Sequence, residues 1–141
     1  MIILAVDLGK ARTGLAVCDK GELLASPLGM IEEKQMEKVA EKVAVIAKER
    51  KAELIVVGLP KNMDGSEGES ALNARAFAKQ LQEISMLPIE MQDERGTTIT
   101  AHNFLNTTDT RGKKRKKVVD TVAATIILED YLNYRKNQIK N

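Results

Sequence analysis

The sequence predicts an α/β fold, a mixed five-stranded sheet with helices on both faces in the order β-β-β-α-β-α-β-α. Three observations predict it. The first thirty-one residues hold three apolar runs, Met1–Val6, Thr13–Val17 and Leu23–Ile31, close enough together to form a meander. From Gln35 onward the apolar period switches to that of a helix and then alternates between helical stripes and short runs. Glu53–Val57 is a continuous aliphatic run, which suits a parallel strand covered on both sides. Right-handed crossovers then place the fourth and fifth strands beside the first.

The elements follow in order. Met1–Val6 is rich in β-formers and ends at Asp7; Leu8-Gly9 and Lys10-Ala11-Arg12 form a turn before the returning strand. Gly9 permits close backbone approach, and Gly14 suits a bend early in the second strand. Pro27 marks the third strand, Leu23–Ile31, as a sheet edge. Between Gln35 and Arg50 the apolar positions Met36, Val39, Ala40, Val43, Ile46 and Ala47 make one helical stripe. Three glycines and a proline in Gly58–Gly68 predict an irregular loop at a strand end. A second helix over Glu69–Ser85 puts Phe77, Leu81 and Ile84 on one face. Pro88–Gln92 is the fifth strand, and a short helix is expected over Thr98–Leu105. The last helix, Val118–Tyr134, turns Val119, Val122, Ala123, Ile126 and Ile127 inward.

At 141 residues, 43% hydrophobic and 30% charged, the chain reads as one domain, residues 1–141, with an ordinary core. No apolar run reaches the length of a membrane span, and no basic leader precedes the first strand, so a cytoplasmic protein is expected. One cysteine and one histidine cannot build a closed zinc site. The net charge of +2 hides an asymmetry. Arg111–Lys117 (RGKKRKK) carries six positive charges; the rest of the chain holds 16 basic against 20 acidic residues. Such a concentrated patch points to a polyanionic partner.

The carboxylates carry the chemistry. Asp7 ends the first strand, Asp93-Glu94 follows the fifth, and all three fall at one edge of the sheet, where open α/β sheets bind ligands. Asp93 continues the Ile89–Met91 face and Glu94 the Glu90–Gln92 face; period alone does not choose between them. Asp120 shares a helix face with Ala123, Ala124, Ile127 and Tyr131. Its rival role is a helix cap. Like charges converge stably only around something positive. Oxygen donors without His or Cys suit Mg²⁺ or Mn²⁺, and two such metals can hydrolyse a phosphodiester. His102 falls in the short helix and reads as surface or packing.

The motifs Asp7-Leu8-Gly9 with Arg12-Thr13-Gly14, Gly58-Leu59-Pro60 with Met63-Asp64-Gly65, Asp93-Glu94-Arg95 with Thr97-Thr98, and Lys116-Lys117 before Asp120 and Ala123-Ala124 run almost the length of the chain. In this order the chain resembles the YqgF/RuvX family of the ribonuclease H-like superfamily, described both as Holliday junction resolvases and as pre-16S rRNA nucleases. The resemblance implies a catalytic and metal-binding triad of Asp7, Glu94 and Asp120, with Asp93 as a substitute ligand, and Asp64 or Asp93 as a fourth acidic group. Gly96 departs from the pattern, standing where a larger residue is expected.

The expected function is metal-dependent cleavage of structured nucleic acid, trimming the 5′ end of pre-16S rRNA, with Holliday junction resolution as the alternative. Nucleic-acid contacts are expected from Arg12, Lys61, Arg95, Arg111, Lys113, Lys114, Arg115, Lys116 and Lys117. With only 3% aromatic residues these contacts should be to phosphate rather than to stacked bases. Ribosomal precursor particles are expected partners, with the protein a monomer or weak homodimer. Two further readings are a non-catalytic nucleic-acid-binding module and an ATP-binding domain of the actin and sugar-kinase type. The latter needs a second related domain, for which 141 residues leave no room.

Overall fold

The computed structural model describes residues 1–94 and 112–140, with side chains described to residue 94 and from 122 to 138. The strands are β1 (Ile3–Asp7), β2 (Arg12–Cys18), β3 (Ala25–Glu32), β4 (Leu54–Leu59) and β5 (Ile89–Asp93). The helices are α1 (Met36–Glu49), α2 (Glu69–Ser85) and α3 (Gly112–Lys140). The short helix expected over 98–105, with His102, lies outside the described residues, as do Arg95, Gly96 and Arg111.

The sheet order is β3-β2-β1-β4-β5. The first three strands pair antiparallel, and β4 joins β1 and β5 in parallel, so the sheet is mixed as the meander and crossovers require. The side-chain alternation of each strand divides the core in two. Leu4, Val6, Leu15, Ile55, Val57 and Leu59 face α1 and α2, where Val39, Val43, Phe77 and Leu81 meet them. Ile3, Ala5, Ala16, Cys18, Leu54 and Val56 face α3.

Four details depart from the sequence expectations. β3 begins at Ala25, because the Asp19 carboxylate accepts the Leu23 and Leu24 amides at 2.8 and 2.9 Å and holds both residues in a turn. Leu23 and Leu24 are accordingly exposed. β4 continues through Gly58 and Leu59, which keep their ladder partners Gln92 and Asp93, so the loop starts at Pro60. Ile84, in the last turn of α2, lines an open groove against α1 rather than the core.

The fourth departure is α3, which starts at Gly112 and takes the basic run into its first turns, as good helix formers allow. Its buried stripe is Ala123, Ala124, Ile127, Leu128, Tyr131 and Leu132, while Val122 and Ile126 are only half-buried. The helix is therefore turned toward the register that contains position 120. Arg135 near its other end ion-pairs with Glu22 at 2.6 Å, and Glu22 also takes the Met1 ammonium at 3.0 Å. Tyr131 donates to Glu90 of β5. These contacts tie α3 to both edges of the sheet, with its C-terminal end over the start of β1.

Candidate active site

Asp7 is the last residue of β1. Ile3 and Ala5 face α3, so Asp7, two further along, does the same. The hairpin that follows is pinched: a Cβ on Gly9 would collide with the Arg12 carbonyl, so only glycine fits there. On β4, Leu54 and Val56 face α3, which assigns Gly58 to the same side. On β5, Ile89 and Met91 pack toward α1 and α2, whereas Glu90 meets Tyr131 of α3. Glu94 continues the Glu90 side, and its amide donates to the Leu59 carbonyl at 3.1 Å.

Alternation thus sets Asp93 and Glu94 on opposite faces of the sheet. Glu94 lies on the α3 side and hydrogen-bonds Asp7. Asp93 lies on the other face and reaches Glu94 only through its charge. A hydrogen bond between two carboxyl groups requires a proton. Burial is the leading cause that lifts the Glu94 carboxyl to about 9, followed by the Asp7 charge, the hydrogen bond to Asp7 and the Asp93 charge. Without a cation, these causes favour one proton held between the two carboxyl groups.

Asp120 sits on the α3 backbone, more than two turns inside the helix, so a capping role is excluded. By register it precedes Ala124 and Ile127, which are fully buried against the sheet. Ile127 stands over Gly58, since a Cβ there would meet its Cδ1 at 2.7 Å. Arg135 marks the far end of the sheet, so residues before Ile127 run toward the edge that carries Asp7 and Glu94. Position 120 lies about 10 Å up the axis from Ile127. Its side chain falls outside the described set, and so do those of Lys113, Lys114, Arg115, Lys116 and Lys117.

The other expected contacts are dispersed. Arg12 opens β2 half-buried, opposite Glu32 in register, and lines a shallow pocket with Glu33 and Lys34 away from the Asp7–Glu94 pair. Lys61 is half-buried just after β4. Asp64 accepts the Ser66 amide at 2.9 Å and the Ser66 hydroxyl at 2.6 Å, and so braces its own loop. No group of three or more His, Cys, Asp or Glu side chains able to hold a metal occurs among the described residues. The Asp7–Glu94 pair nevertheless fits a divalent cation: two adjacent oxygen donors share one proton that a cation can replace. The sequence alone makes Gly58 the start of a loop and part of the Gly58-Leu59-Pro60 motif, with no steric role. The signal that could have found it is a glycine directly following an unbroken β run, which marks close approach.

The chain matches the family model described as RuvX, Holliday junction resolvase, over residues 1–134. A protein of Clostridium botulinum, provisionally named a pre-16S rRNA nuclease, is 42% identical over 133 residues, covering 94% of this chain and 97% of its own. One of Crocosphaera subtropica with the same provisional name is 39% identical over 133 residues, covering 94% and 93%. Among solved structures, RuvC of Thermus thermophilus superposes with a TM-score of 0.58 at 15% identity, covering 97% of each chain. The fowlpox virus resolvase in complex with Holliday junction DNA gives 0.59 at 13% identity, covering 95% and 98%. These two likenesses establish the ribonuclease H-like fold. No helix among the described residues is long and apolar enough to cross a membrane. The chain belongs to the RuvX family of Holliday junction resolvases, and its enzymatic class is that of a hydrolase acting on nucleic-acid ester bonds.

Proposed function

We propose that this chain is a divalent-metal-dependent nuclease that cleaves structured RNA at the 5′ end of pre-16S rRNA. The observation that carries the reading is the half-buried, hydrogen-bonded Asp7–Glu94 pair at the C-terminal edge of β1, β4 and β5. Asp7, Glu94 and Asp120 would hold Mg²⁺ or Mn²⁺. When bound, the metal supplies an activated water and stabilises the leaving oxygen of the phosphodiester. Asp7 anchors the site from the rigid centre of the sheet, and Glu94 closes it from β5. Asp120 would be supplied by α3, the helix that also carries the basic run.

Lys113–Lys117 occupy the first turns of α3, where the helix dipole adds to their positive charge and the first turn itself holds no acidic residue. A nucleic-acid backbone relieves that repulsion, and binding through it is non-specific and salt-dependent. A single domain acting in the cytoplasm on ribosomal precursor particles, as a monomer or weak homodimer, fits this reading.

The second reading is junction resolution, favoured by the description of the matched family. Purified protein with Mg²⁺ or Mn²⁺ is to be tested on a pre-16S 5′ fragment and on a four-way DNA junction. Cleavage of the RNA alone, lost in Asp7→Asn, is the expected result; symmetric cuts in the junction alone would replace the first reading with the second. Asp120→Asn separates ligand from bystander, because a ligand loses metal affinity and cleavage together. Normal cleavage with unaltered Mg²⁺ dependence would remove Asp120 from the site.

A further inference from the structure

Gly58 sits in the middle layer of the sheet, between β1 and β5, in a strand whose other residues are all large and buried. Glycine there forfeits packing and costs backbone entropy. Its backbone lies outside the left-handed region, so its conformation does not ask for glycine. Space does. A Cβ at position 58 would stand 2.7 Å from the Glu94 Cδ, 2.7 Å from its Oε2 and 2.7 Å from the Ile127 Cδ1.

We propose that Gly58 is a positioning residue: its missing side chain is the cradle in which the Glu94 carboxyl lies on the sheet beside Asp7. The inference rests on the metal-dependent reading above and adds a residue that acts only through Glu94. The carboxyl is the far end of a flexible side chain, so a methyl group at position 58 displaces it without disrupting the ladder. Gly58→Ala should therefore separate the two oxygen donors in a protein that still folds.

Ile127 provides the control, because Ile127→Val removes the Cδ1 that position 58 would strike. Mn²⁺ affinity by calorimetry, kcat, KM and metal-free melting temperature are to be measured for Gly58→Ala, Ile127→Val and the double variant. Gly58→Ala should weaken Mn²⁺ binding at least about tenfold and lower kcat, with KM for RNA changed less than about twofold. The double variant should recover only part of the melting temperature lost in Gly58→Ala, the rest belonging to the displaced Glu94 carboxyl, while Mn²⁺ affinity stays low. Recovery of Mn²⁺ affinity in the double variant would mean that Gly58 serves only α3 packing, and would overturn the proposal. If Gly58→Ala does not accumulate as folded protein, the double variant carries the same comparison against Ile127→Val.

A wild type that binds neither Mg²⁺ nor Mn²⁺ would remove the metal reading and leave the cradle testable by itself. Glu94→Ala must then restore part of the metal-free stability lost in Gly58→Ala; no restoration would overturn the cradle as well.

Discussion

The two faces of the sheet are built from the same strands and do different work. Toward α1 and α2 the alternation supplies Leu4, Val6, Ile55, Val57 and Leu59 without interruption, closed by Phe77 and Leu81. Toward α3 it begins with Ile3, Ala5, Leu54 and Val56 and then, at the C-terminal edge, turns into Asp7, Gly58 and Glu94. Along β1 and β4 one face stays apolar to the strand ends; the other exchanges packing for a pair of half-buried carboxyl groups. A shift of one residue in any of these strands would exchange the faces, so the site depends on register as much as on residue type.

Mutations on opposite faces should separate stability from activity. Asp7→Asn is expected to reduce cleavage by about a thousandfold, since metal-centred chemistry contributes several kcal/mol to the transition state. Its metal-free melting temperature should hold or rise. Phe77→Ala should do the reverse, costing about 3–5 kcal/mol of stability while the folded fraction cleaves at the wild-type rate. Loss of cleavage in folded Phe77→Ala would break the division between the faces.

Glu94→Gln gives a pH-dependent effect. The folded-state pKa of Glu94 is raised above its unfolded value, to about 9. The folded state therefore binds the extra proton, and stability is lost as pH rises from the ordinary carboxylate range toward 9. Metal-free Glu94→Gln should melt higher than wild type at pH 8, with the gap closing toward pH 5. A gap independent of pH would mean that Glu94 carries no shifted proton.

Replacing Lys113, Lys114, Lys116 and Lys117 with Ala tests the helical basic run. For about four phosphate contacts, log K falls with log salt at a slope of roughly −3 to −4, and the variant should flatten it. An unchanged slope would leave the run without a role in binding. The smallest effect is expected at Tyr131→Phe, which removes one hydrogen bond to Glu90 and about 1 kcal/mol of stability, with cleavage retained.

The meander, the later strands beside β1 and the buried stripe of α1 were legible in the sequence because period-2 and period-3.6 patterns survive in short runs. The inward faces of α2 and α3 were legible only in part. The meeting of Asp7 with Glu94 was legible as a shared edge, but the side of each carboxylate was not. That depends on counting from packed neighbours such as Ala5 and Met91, whose facing is known only once the helices are docked. Asp120 could be read as a cap only while the helix was taken to begin at Val118; the start at Gly112 removes that role. Gly58 was misjudged because glycine breaks strands locally, whereas here two side chains from distant segments, Glu94 and Ile127, demand its small size. Non-local sterics of that kind leave no periodic trace.

The central claim is that Asp7 and Glu94 share a proton that a divalent cation replaces. Calorimetric titration with Mn²⁺ at pH 7, in buffers of different ionisation enthalpy, reads the proton count directly. The account predicts release of about one proton per bound ion in wild type, with both the release and the affinity reduced in Glu94→Gln. Mn²⁺ binding without proton release, at an affinity unchanged in Glu94→Gln, would contradict it.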